Sequence, residues 1–298
     1  MFSFLKRKTK ELPATGLIPS PEDKRDFLLS TFMPEVKRIP DELPPPFDLT
    51  IFNQGNYPSC VGQSSAAVKQ EKEFRERHFE TFDGKWIYDE CKKEDGIPNI
   101  AGTFFRMGLK ILQKKGAKPL DKSEFEAQRY KIGSYAQVDD MSFEGLKKAI
   151  YVNGAILAGY RGSNEGWQTA YVRPPRQGES LWGHAVSLVG YTRYYLIGQN
   201  SWGNAWGDKG LFYIPSDYVP IEAWAVLTDL PTPEAGETGW VAKKYVLNGK
   251  TTTALRLREG AGTDAKIIRV LPFNTQVEQV SAQEITHNGL AWINVRVV

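Results

Sequence analysis

Cysteine is nearly missing from this chain: Cys60 and Cys91 are the only two among 298 residues. Two thiols cannot make a disulfide framework, and no Cys/His set has the spacing of a structural zinc site. Histidine is almost as scarce, at His78, His184 and His287, so the pattern calls for no metal and no other cofactor. An excess of one charge is lacking too. The 38 basic and 35 acidic side chains leave +3, whereas a nucleic-acid partner would need a clustered basic surplus. Apolar runs are short: none nears the roughly 20 residues that cross a bilayer. The amino terminus, MFSFLKRKTKELPATG, has no apolar stretch of about 7 to 15 residues such as a secretory signal requires. The expectation is a chain without membrane partner or export signal, located in a cytoplasm or in a phage virion released by lysis.

What remains is an ordinary globular composition, 41% hydrophobic, 24% charged and 12% aromatic, long enough for one sizeable domain and a small one. Residues 1–47 have little periodicity and end in Pro44, Pro45 and Pro46, which break helices and favour extended chain. They read as an extension or a short pro-segment. Leu12 to Gly16 spell LPATG, the letters of a wall-sorting signal, but such signals sit near a carboxyl end, and chance explains the match. Residues 48–230 read as an α+β domain, with helical patterns after Cys60 and over 103–115, then the strand-like runs HAVSLVGY and YYLIG. Residues 231–242, rich in Pro and Gly, read as a linker. Residues 243–298 carry short β-branched runs separated by turn residues, the pattern of a small barrel.

Cys60 follows Ser59, a good N-cap, and falls in the first turn of a helix. There the dipole and free N–H groups favour a thiolate. Further on, LWGHAVSLVGYTRYYLIGQNSWG reads as a hairpin turning near 191–193, with His184 and Asn200 opposite each other. An Asn oxygen accepting from one imidazole nitrogen would leave the other to face a thiol. That is the nucleophile, base and orienting-group arrangement of covalent catalysis. Cys91 reads as a structural thiol. His78 reads as a solvated residue and His287 as a loop residue of the terminal module. The alternating charges of KQEKEF and CKKED read as solvated helix surface.

These stretches resemble the papain-like cysteine peptidases. Gln54 stands six residues before Cys60, as in that family, and GHAVSLVGY with QNSWGNAWGDKGLFYI resembles its histidine and asparagine regions. His184 lies 124 residues after Cys60 and Asn200 lies 140 after it, near the family's spacing of about 130 to 150. The resemblance implies a two-lobed fold, helical lobe plus β-barrel-like lobe. It implies catalysis through a thioester on Cys60, with His184 as acid and base, Asn200 orienting it, Gln54 in the oxyanion hole and Trp202 shielding the Asn–His bond. Protein or peptide would be the substrate. CKKEDGIPNIAGTFFRMGLKILQKKGA resembles bacterial members. Tyr57 replaces a disulfide cysteine of secreted relatives, Pro58 a glycine and Val61 a tryptophan, which leaves the substrate pocket and any zymogen control open.

The terminal module resembles bacterial SH3 domains, with Leu255, Leu257, Arg258, Gly260, Gly262, Thr263 and Trp292 in the matching places. From residue 243 onward there are eight basic and four acidic side chains, so bacterial cell wall is a candidate partner and peptidoglycan peptide hydrolysis a rival function. A non-catalytic virion or binding protein on a peptidase fold is the third reading.

Overall fold

A computed structural model describes residues 12–298 apart from 35, 47–48, 76–79, 125–129, 229–237, 252–254, 263–264, 266 and 272–275. The chain divides into two compact units, one built mainly of residues 1–111 and 136–225 and the other mainly of 226–298.

In the first unit α1 (Cys60–Arg75) and α2 (Gly84–Glu94) lie side by side, and α3 (Phe105–Lys115) follows. The first two helices approach closely because Gly62 and Gly84 carry no side chain. A Cβ at Gly62 would lie 2.2 Å from the Gly84 carbonyl oxygen. Asp83 caps α2 by accepting from the Trp86 N–H at 3.0 Å.

Six strands then form one sheet: β1 (Ser134–Gln137), β2 (Ile156–Ser163), β3 (Leu181–Tyr191), β4 (Tyr195–Gln199), β5 (Leu211–Pro215) and β6 (Glu222–Thr228). Their order is β1-β6-β2-β3-β4-β5. The expected order of helices first and strands afterwards fails at α4 (Phe143–Asn153), which separates β1 from β2. Its ends are strongly specified, by Ser142 accepting from the Gly145 N–H and by Gly154 at φ 79°. Both α1 and α4 pack on β3, the strand that carries His184.

The reading of KQEKEF as a solvated face is wrong: Lys69, Gln70, Glu71, Lys72 and Glu73 are all buried in α1. Local partners make this tolerable. Lys69 donates to Glu73 at 2.6 Å, Arg75 pairs with Glu71, and Glu71 accepts the Ala155 N–H at 3.0 Å. In CKKED, Lys93 is exposed but Asp95 is buried. Cys91 is buried, and His78 lies outside the described residues.

The amino-terminal residues run over this unit, largely without regular structure apart from a short 3-10 helix, Leu29–Thr31. Leu17 bridges to Thr103, Leu28 to Gln137 and Leu43 to Tyr191.

In the second unit a five-stranded sheet has the order β11-β10-β7-β13-β12. It is formed by β7 (Thr238–Ala242), β10 (Leu255–Arg258), β11 (Ile267–Leu271), β12 (Val277–His287) and β13 (Leu290–Val297), with β8 (Val246–Leu247) and β9 (Lys250–Thr251) as a separate short pair. Val241, Leu257, Leu271, Val277, Ile293, Val295 and Val297 form its core. β7 pairs with β13 and β10, so the linker expected over 231–242 gives way at Thr238, where alternating burial begins. Residues 231–237 and Thr263 lie outside the described residues. His287 ends β12 and pairs with Leu290 rather than standing in a loop, because the turn is only Asn288–Gly289, both at positive φ.

Candidate active site

Cys60 opens α1, as expected, and is fully buried. Ser59 precedes it, and the Ser59 Oγ accepts from Gln63 Nε2 at 3.3 Å. Burial pushes the Cys60 thiol up to about 11, against the backbone N–H groups of Ala185, Gly16, Val61 and Cys60 itself, which favour the charged sulfur. Burial thus opposes the thiolate expected from the helix start.

His184 lies on β3, also fully buried. Its Nε2 is 2.8 Å from Asn200 Oδ1. The same oxygen accepts the Ser201 N–H at 2.8 Å, which fixes it as the acceptor and puts a proton on Nε2. Nδ1 has no hydrogen-bond partner among the described residues and carries the free lone pair. Burial holds the imidazole down at about 4, with the Asn200 bond opposing.

The hairpin that brings them together differs from the sequence reading. Ser187 pairs with Gln199 and Tyr191 with Leu196, with a register shift between Leu188 and Gly190. The turn is centred later than 192, and Asn200 reaches His184 diagonally from beyond the end of β4. Both residues point to the same face because side chains alternate along a strand.

Gln54 is held by both ends. Its backbone N–H donates to the Ser201 carbonyl at 2.9 Å, and its Oε1 accepts from Ser201 Oγ at 2.6 Å. That leaves Nε2 to donate to the carbonyls of Ala14 at 2.6 Å and Tyr57 at 2.8 Å. Trp202 stacks on the His184 ring, centroids 4.7 Å apart and planes at 28°. Two further tryptophans, Trp167 and Trp182, stand edge-on to the imidazole at 5.7 and 6.0 Å. The sequence pattern singles out neither, although Trp182 stands two residues before His184 in the stretch read as a hairpin.

Residues 14–18 of the chain itself, which overlap the LPATG stretch at Ala14 to Gly16, lie across this site, a placement that no local pattern signals. The Gly16 carbonyl accepts from the Thr103 N–H at 2.9 Å. Leu17 N–H donates to the Gly183 carbonyl at 3.1 Å, and Ile18 N–H to the Thr103 carbonyl at 2.9 Å. Beyond them, Ser20 N–H donates to Glu222 at 3.1 Å, and Arg106 donates to Asp26 at 2.9 Å. Among the described residues no group of three or more His, Cys, Asp or Glu is placed to hold a metal.

Residues 87–225 match the family described as papain family cysteine protease. Over that span the chain is similar to papain-family cysteine proteases. The matched span includes His184, Asn200 and Trp202, whereas Cys60 and Gln54 lie ahead of it. The chain is 27% identical to an uncharacterized peptidase C1-like protein, L477, of Acanthamoeba polyphaga mimivirus, over 70% of this chain and 83% of that one. It is similar to xylellain, a cysteine protease from Xylella fastidiosa, with TM-score 0.63 and 25% identity over 74% of this chain and 98% of that one. It shares the fold of proCathepsin B S9 from Trypanosoma congolense, with TM-score 0.60 and 13% identity over 73% and 87% of the two chains. These similar proteins come from a virus, a bacterium and a trypanosome, so a bacterial or phage source does not follow.

Proposed function

We propose that the chain is a cysteine endopeptidase in a latent form. The observation that carries this reading is the His184 imidazole, fixed by Asn200 with Nδ1 left without a partner among the described residues, on the strand against which α1, the helix that Cys60 opens, packs. In this reading Nδ1 takes the thiol proton as the sulfur attacks a peptide carbonyl carbon. Gln54 Nε2 and the Cys60 N–H hold the resulting oxyanion, and one such donor is worth about 2.7 to 4 kcal/mol. His184 then returns the proton to the leaving amine, and water cleaves the thioester. Residues 14–18 must leave the cleft before a substrate enters.

The test combines an epoxide thiol probe with casein cleavage. Probe on Cys60 alone, cleavage lost in Cys60→Ala and His184→Ala, and cleavage weakened in Asn200→Ala are expected. Probe on Cys91 instead, or casein cleavage surviving Cys60→Ala, rejects the assignment.

A second reading, a hydrolase of wall peptides, draws on the second unit. That unit has a core of its own, and residues 243–298 hold eight basic against four acidic side chains. On this reading it is the SH3-like module that binds an anionic wall. Zymogram clearing of cell walls without casein cleavage favours it.

A further inference from the structure

Lys92 faces four oxygens with three protons. From α2 its Nζ lies 2.8 Å from Asp95 Oδ2, 2.8 Å from the Ile97 carbonyl, 2.9 Å from the Ile100 carbonyl and 3.0 Å from the Gly102 carbonyl. Asp95 is buried and its other oxygen accepts the Ile97 N–H at 3.0 Å. One helical turn earlier on the same face, Tyr88 Oη accepts the Gly102 N–H at 3.3 Å. The segment 95–102 has no helix or strand of its own, so the ammonium is its centre.

What this segment delivers is Thr103. The Thr103 N–H and carbonyl are both engaged by the chain lying in the cleft, with Gly16 and Ile18 at 2.9 Å each. Any extended peptide taking that place meets the same donor and acceptor. Both cysteines, Cys60 and Cys91, are free, so no disulfide ties this segment.

We propose that Lys92 is the positioning residue of the cleft edge, an internal cation that gathers the 95–102 carbonyls and so aims Thr103 at an extended peptide main chain. Only the identity of that peptide as a substrate rests on the peptidase reading. Removing the charge frees four oxygens, the loop opens to water, and the edge loses its register.

Hydrogen exchange on the full chain with Lys92→Met tests this. The amides of Ile97, Gly102, Thr103 and Ile18 are expected to exchange at least about tenfold faster, the effect of ~1.4 kcal/mol. Those of Ile87 in α2 and of β3 keep wild-type protection, and iodoacetamide modifies Cys60 faster as the strap loosens. Unchanged protection at Thr103 and Ile18 overturns the proposal. So does loss spread through α1 and β3, which would make Lys92 a general support of the fold. Lys92→Gln serves for the same comparison if the methionine variant is insoluble. None of these readouts uses turnover, so an inactive protein showing the expected pattern counts against the peptidase reading alone.

Discussion

The Ala14 carbonyl oxygen lies 2.6 Å from Nε2 of Gln54, so the proposed oxyanion donor is already satisfied by the protein's own chain. Two residues on, the Gly16 carbonyl accepts from the Thr103 N–H at 2.9 Å, so the segment is held across this site through its main chain.

Gly16 makes this fit possible. A Cβ there would lie 2.2 Å from the Pro58 carbonyl oxygen, too near for either backbone to yield cheaply. Gly16→Val is expected to expel the segment and speed alkylation of Cys60 by about tenfold or more, equivalent to ~1.4 kcal/mol or more taken from the closed form. Peptide mapping of iodoacetamide adducts measures it, and a rate equal to wild type would show that residues 14–18 do not guard the thiol.

In that opened background Gln54→Ala separates the oxyanion role from simple packing. Hydrolysis builds charge on a carbonyl oxygen, and alkylation by iodoacetamide does not. The expected result is a kcat lower by about 10² to 10³ at an unchanged alkylation rate. Equal losses in both would mean that Gln54 merely supports Cys60.

The buried dyad also leaves a mark on stability. His184 is held down at about 4 against an ordinary 6.5, so between those values the unfolded chain binds the extra proton. Its contribution is complete above about pH 6.5 and is lost as pH falls toward 4, by about 3 kcal/mol. Cys60 is raised from 9.0 to about 11, so the folded chain keeps a proton that the unfolded chain gives up. Stability therefore falls again as pH rises through that range. Urea unfolding across pH should show both limbs, and His184→Gln should flatten the acid one; an acid limb as steep in that variant assigns it to other groups.

The helix start at Cys60 was legible because Ser59 and the apolar spacing after it are local signals, and the His184–Asn200 pairing was legible because a hairpin is nearly local. Its register was not: the shift between Leu188 and Gly190 is set by packing, and no sequence pattern of period two records it. The burial of Lys69 and Glu73 was hidden for a related reason, since a charge pair four residues apart looks the same on a wet surface and in a core. The cleft occupants were the least legible. Residues 14–18 act through backbone N–H and carbonyl groups, which every sequence has in equal number. Lys92 escaped likewise, since its acceptors are mostly main-chain oxygens.

The indole of Trp202 stacked on the His184 ring makes this site optically self-reporting. A protonated imidazole quenches a stacked indole and a neutral one does so far less. Charging of that imidazole is therefore expected to dim the Trp202 share of the emission of eight tryptophans, a change that Trp202→Phe removes.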